Sequence, residues 1–180
     1  MTQHRRRIDQ VMDPSFTESL EDLEIDDLRS RRTTCDELDT ELSYYRRMIH
    51  GRLDLLNFEL RRRNGEETRS LIEALPEILA DSPSGRTSNP LDRELSLDLP
   101  DLAGSGKRHV DQALSDGFLA HLPSIDADEL ESIQSVLTET EQTVSEQRRA
   151  VYEAHDIITA EIAKRYRDGT ASTDEFLPAT

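Results

Sequence analysis

Two sets of polar residues stand at matching spacing in two places along this chain. Asp39, Ser43, Arg46, His50 and Asp54 follow the order acid-x3-Ser-x2-Arg-x3-His-x3-Asp. Glu141, Ser145, Arg148, Tyr152 and Asp156 repeat it with tyrosine at the fourth position. Each set offers a planar cationic fork, a hydroxyl and two carboxylates. Arginine matches phosphate oxygens, donates to guanine O6 and N7, or stacks on a base, while a carboxylate accepts from the N1–H and N2–H edge of guanine. A serine hydroxyl suits a phosphate oxygen or a ribose hydroxyl. Neither serine has a general base beside it in sequence, so the chemistry expected is binding without turnover, and the chain is not expected to be an enzyme.

On a helix that advances about 100° per residue, the first set occupies one arc of about 80° and runs about 22 Å along the axis. The stripe falls one residue after the apolar positions 38, 42, 45, 49 and 53, so it flanks a hydrophobic seam. A solvated face laced with ion pairs of ~0.3–0.5 kcal/mol each would also read this way. Duplication argues against that, because a merely solvated face has no need to repeat serine, arginine and aspartate at one spacing. The repeat is wider than the stripes: Arg47 answers Arg149, Ile49 answers Val151, Glu59 answers Glu161, Leu60 answers Ile162 and Arg63 answers Arg165, each pair 102 residues apart. Two helices of one ancestry should pair, and in an antiparallel pair the stripes would form an approximately two-fold site for an approximately two-fold guanine dinucleotide.

The elements that must carry these stripes are legible in the apolar spacing. Leu38, Leu42, Tyr45, Ile49, Leu53, Leu56 and Leu60 recur at intervals of three and four, with Arg61–Arg63 at the carboxyl end and Asn64-Gly65 as the stop. This predicts a first motif helix in segment 38–64. Ile133, Leu137, Val144, Val151, Ile158 and Ile162, opened by Asp126-x-Asp-Glu, predict a second of equal or greater length in segment 128–168. The remainder is an acidic arm with a short helix over 1–37, an acidic linker with short helices over 65–127, including a helical piece at Glu66–Ala80, and a flexible tail over 169–180. The fold class expected is all-α: two long helices forming an antiparallel coiled coil, with short acidic helices and flexible linkers.

Composition narrows the classes further. The chain has 180 residues, 38 acids against 22 bases and a net charge of −16, with 34% apolar residues, 4% aromatics and no tryptophan. That supports at most one small domain of long solvated helices and little material for a deep apolar pocket. A polyanion repels DNA and anionic membranes, so no direct DNA binding is expected. No membrane span and no signal peptide is apparent, and the single Cys35 cannot form an internal disulfide; a cytoplasmic home follows. The histidines at 4, 50, 109, 121 and 155 lack metal-ligand spacing, so no metal is expected. Gly104-Ser-Gly-Lys107 lacks the remaining residues of a phosphate loop and reads as linker.

With these residues in view, the chain resembles the RsiG family, actinobacterial anti-sigma factors that bind cyclic di-GMP and the sporulation sigma factor WhiG. The resemblance rests on the two stripes, on the flanking run Ser43–Asp54, and on Leu75–Leu79 and Ala160–Gly169, and it spans most of residues 20–170. The family pattern has glutamate first and glutamine fourth, where this chain carries Asp39, His50 and Tyr152. Tyr152 can stack on a guanine and His50 can donate from a ring nitrogen. The resemblance implies a coiled coil whose stripes hold an intercalated pair of cyclic di-GMP molecules. The loaded protein would sequester a WhiG-like sigma factor, one chain per sigma factor, and release it when the nucleotide falls. It also implies Arg46 and Arg148 on guanine or phosphate, Asp39, Glu141, Asp54 and Asp156 on guanine edges, and Ser43 and Ser145 on phosphate or ribose. The acidic stretches Glu18–Asp27 and Glu66–Asp101 are suited to the basic, DNA-contacting faces of such a partner. The alternative is a coiled-coil adaptor, or an anti-sigma protein, that works without the nucleotide.

Overall fold

The computed structural model describes residues 6–81 and 118–169, and every regular element among them is helical. Helix α1 spans Arg7–Met12, and two single 3-10 turns follow at Pro14–Phe16 and Leu20–Asp22. Helix α2 runs Ile25–Arg63 and α3 Leu71–Asp81. After the undescribed stretch come α4 at Phe118–His121, a 3-10 turn at Leu122–Ser124, and α5 at Ala127–Arg167. The all-α expectation is met, with two dominant helices of 39 and 41 residues. The acidic linker beyond Asp81, including Gly104–Lys107, lies outside the described residues. So do His4, His109 and the tail after Gly169.

Helix α5 begins and ends within a residue of its expected bounds because its signals are local. The Asp126 carboxylate accepts from the Glu129 amide at 2.8 Å, so the side chain before the helix satisfies an orphan donor of the first turn. The end of α2 is equally local. Gly65 takes φ +77°, the Glu66 amide reaches the Arg61 carbonyl at 2.9 Å and the Gly65 amide the Arg62 carbonyl at 3.2 Å, a Schellman closure. A capping box opens α3, where Ser70 and Glu73 exchange hydrogen bonds of 2.8 and 3.3 Å with each other's amides.

The start of α2 differs from expectation. The helix begins at Ile25, thirteen residues before Leu38, so the last part of the expected arm, from Ile25 to Glu37, is the first third of the motif helix. The cause is a seam that continues upstream in steps of seven and three: Leu28, Cys35 and Leu38 are all buried. Near the other end, Leu53 and Leu60 are only half-buried, whereas Leu55, Leu56 and Phe58 are buried, so more than one face of α2 is covered there. The expected seam of α5 is buried at all six positions.

The chain divides into two units, Met1–Leu42 with Glu146–Thr180, and Ser43–Ser145, and both long helices contribute to each. In the first, Arg29 donates to the Tyr166 hydroxyl at 2.6 Å, His155 stands 3.4 Å from Asp36, and Arg148 donates to Asp39 at 2.8 Å. In the second, Arg46 donates to Glu141 at 2.7 Å, Gln134 to Asn57 at 2.5 Å, and Arg63 to the Leu122 carbonyl at 3.2 Å. Within each unit, residue numbers fall along α5 as they rise along α2.

Internally the two units are built alike, and the repeat reaches well beyond the stripes. The 3-10 turns begin at Leu20 and Leu122 and the long helices at Ile25 and Ala127, both 102 residues apart. Phe16 and Phe118, Leu28 and Leu130, Leu42 and Val144, Ile49 and Val151, and Leu56 and Ile158 are matching buried pairs at that offset. Each unit also closes in the same manner. Arg165, held by Glu161, donates to the carbonyls of Leu20, Glu21 and Leu23 at 2.7, 3.1 and 2.5 Å. Arg63, held by Glu59, donates to those of Leu122 and Pro123 at 3.2 and 3.4 Å. The last turn of each long helix thus fastens the turn that introduces the other.

Candidate functional site

Each stripe residue sits on a long helix whose register is set by the buried seam one residue away. In the Ser43–Ser145 unit the centre of the cluster is Glu141. One of its oxygens accepts from Arg46 Nε at 2.7 Å and from the Ser145 hydroxyl at 2.8 Å, and lies 3.0 Å from His50 Nε2. Partial burial pushes the Glu141 carboxyl up, but the hydrogen bonds from Arg46, His50 and Ser145 together outweigh it and bring it down to about 2. Glu141 is therefore a fixed anion at neutral pH. Only Nε of Arg46 is engaged; its two terminal nitrogens have no partner among the described residues. Ser43 is half-buried in the same unit, and Asp54 is half-buried with no side-chain bond among the described residues.

The other unit holds the corresponding cluster. Arg148 Nε donates to Asp39 at 2.8 Å and Nη2 to the Tyr152 hydroxyl at 2.5 Å, with the guanidinium 5.0 Å from the Tyr152 ring centre. Burial works against the charge of Arg148, and the Asp39 and Tyr152 bonds more than offset it, holding the group above its ordinary value. Burial and a hydrogen bond to Asp39 both raise the Tyr152 phenol. Asp156 is exposed, and among the described residues its side chain meets His155, at 3.5 Å.

The arrangement departs from a simple pair of stripes in one respect. The acid of each stripe serves the arginine of the other: Glu141 holds Arg46, and Asp39 holds Arg148. His50 meets Glu141 as Tyr152 meets Asp39, so the fourth position of each stripe also turns to the first position of the other. Sequence spacing shows which residues share a helix face, but not which cross to a neighbour. Asp54 and Asp156 are left as the carboxylates without an arginine among the described residues. The clamps Glu59–Arg63 and Glu161–Arg165 had a signal in the 102-residue repeat, though not a role.

What these clusters can do is bind. A half-exposed guanidinium backed by a carboxylate presents an oriented donor fork, and the aspartates that no arginine holds among the described residues present acceptors. No group of three or more potential metal ligands occurs among the described residues, and none of their helices is long and apolar enough to cross a membrane. Cys35 is buried, and burial, with Asp36 adding to it, pushes its thiol up to about 11.

No curated protein matches the chain. Residues 14–79 match the RsiG-like family. That stretch contains the Leu20–Asp22 turn, all of α2 with the first stripe, and most of α3; the second stripe, outside it, is tied to the first by the internal repeat. What the match shows is that this stretch, well under half of the chain, is similar to the RsiG-like family.

Proposed function

We propose that this protein is an anti-sigma factor gated by cyclic di-GMP, with α2 and α5 forming an antiparallel coiled coil. The likeness of residues 14–79 to the RsiG-like family supports the anti-sigma role. The observation that supports the nucleotide is the reciprocal pairing of Arg46 with Glu141 and Arg148 with Asp39. Two arginines each held by a carboxylate, with a serine and an aspartate that no arginine engages in each stripe, match the donor and acceptor pattern of guanine and phosphate.

In this reading Asp39 and Glu141 orient the arginines, Asp54 and Asp156 accept from guanine N1–H and N2–H, and Ser43 and Ser145 serve phosphate or ribose. His50 and Tyr152 flank the bases. The partner is a WhiG-like sigma factor, met by an acidic surface in which Glu18, Glu21, Asp22, Glu24, Asp26 and Asp27 are all exposed. The protein acts by binding, without catalysis. A nucleotide-independent adaptor is the second reading. It draws on the fact that Arg148 already has partners for both Nε and Nη2 within the chain.

Isothermal titration with cyclic di-GMP, with and without the sigma factor, separates the two. Binding that is lost in the Arg46→Ala/Arg148→Ala variant supports gating. Sigma capture with no nucleotide binding in either mixture establishes the adaptor. Replacing Glu21, Asp22, Asp26 and Asp27 by lysine should abolish sigma capture; unchanged capture would remove the acidic surface from the reading.

A further inference from the structure

The stripes as counted carry too little positive charge for the ligand proposed. In the Ser43–Ser145 unit, Arg46 is the single stripe cation against Glu141 and Asp54, and in the other unit Arg148 stands alone against Asp39 and Asp156. Each cluster is therefore anionic by one charge, in a chain of net charge −16, before a ligand with phosphodiester charges arrives. A second cation at each would bring the count to neutrality before the ligand's own charge is met.

One is present at a matching position in both copies. Arg47 and Arg149 follow the stripe arginines directly and recur at the 102-residue offset. On the wheel Arg47 lies about 20° beyond Asp54, at the edge of the stripe away from the apolar seam. It stands one turn after Ser43, as Arg149 does after Ser145. Both side chains are exposed, and neither makes a hydrogen bond or ion pair among the described residues, although Glu146 and Glu153 stand one turn to either side of Arg149. The neighbouring Arg46 and Arg148 are by contrast bound to carboxylates.

We infer that Arg47 and Arg149 are the phosphate-binding cations of the two clusters, each gripping a phosphodiester of the nucleotide held at its own cluster, while Arg46 and Arg148 stay with their carboxylates and address the bases. This rests on the nucleotide reading above. It divides the labour by availability: a guanidinium already paired contributes direction, and an unpaired one contributes charge.

The test is titration of the full chain with cyclic di-GMP at a low and a high salt concentration, comparing wild type with Arg47→Ala/Arg149→Ala. Arg61→Ala/Arg167→Ala, which removes two exposed arginines elsewhere on the same helices, matches the net charge. Circular dichroism checks that all are helical. The expected result is a loss of at least about tenfold in affinity per arginine removed and a flattened salt dependence in the stripe-edge variant only. Arg47→Lys/Arg149→Lys should recover much of the affinity. A stripe-edge variant that binds like wild type with the same salt dependence overturns the inference and leaves the nucleotide reading standing. So does loss of sigma capture with nucleotide binding intact, or an equal loss in the charge-matched control. Wild type that binds no cyclic di-GMP overturns the reading and the inference together.

Discussion

A carboxylate that accepts three hydrogen bonds couples its cluster to acid. Glu141 is held down to about 2 from an ordinary 4.5, so the folded state binds its proton less readily than the unfolded chain. Its contribution to stability is complete above about 4.5 and is lost as pH falls toward about 2. Acid unfolding of wild type should steepen over that window, and Glu141→Gln should be less stable at neutral pH and flatter below it; circular dichroism against pH would read both. Cys35 makes the opposite prediction about reactivity. Buried, with its thiol raised to about 11, it should resist a thiol reagent at neutral pH and react at least about tenfold faster in denaturant. At this scale the sequence exposed the chemical types and their spacing. Reciprocal service between stripes was hidden, because periodicity places a side chain on a face and says nothing of which partner helix it meets.

The long helices were legible where their signals were local and obscure where they were not. Asp126 and Gly65 are caps that act through the next few residues, and both ends were placed within a residue or two. The amino end of α2 was hidden because Arg29–Thr34 puts six polar residues between Leu28 and Cys35, and a step of seven is easily taken for a break. What makes that turn-and-helix junction hold is tertiary: Arg165 comes from the far end of α5 to satisfy the Leu20, Glu21 and Leu23 carbonyls. The matching clamp is anchored by Glu59, which is 1% exposed and whose carboxyl is kept low by Arg62 first, against burial, and then by Arg63. Glu59→Ala removes the anion and leaves Arg63 without its guide, and should cost about 2–4 kcal/mol in denaturant unfolding. Glu161→Ala, at a more exposed site, should cost less.

For the molecule as a whole, a repeat read in the sequence from Asp39 and Glu141 to Arg63 and Arg165 is a repeat of about fifty residues that opens at Phe16 and Phe118. Its amino-terminal part is harder to read in the sequence because identity there is sparse: Phe16 matches Phe118 and Leu28 matches Leu130, but Cys35 answers Leu137 and the two share only their burial. Neither unit belongs to one copy. Each takes the first part of one long helix, the last part of the other, and an arginine that fastens one copy's opening turn to the other's final turn. The peptide connection between copies is thus not what makes either unit whole. Cutting the chain once between 82 and 117 should give two pieces that elute together from a sizing column and separate only in denaturant, and either piece expressed alone should lack stable helix by circular dichroism. Pieces that rejoin in this way would be a complementing pair encoded on one strand of message, with the clamps of arginine on backbone carbonyl as the marks by which each half recognises the other.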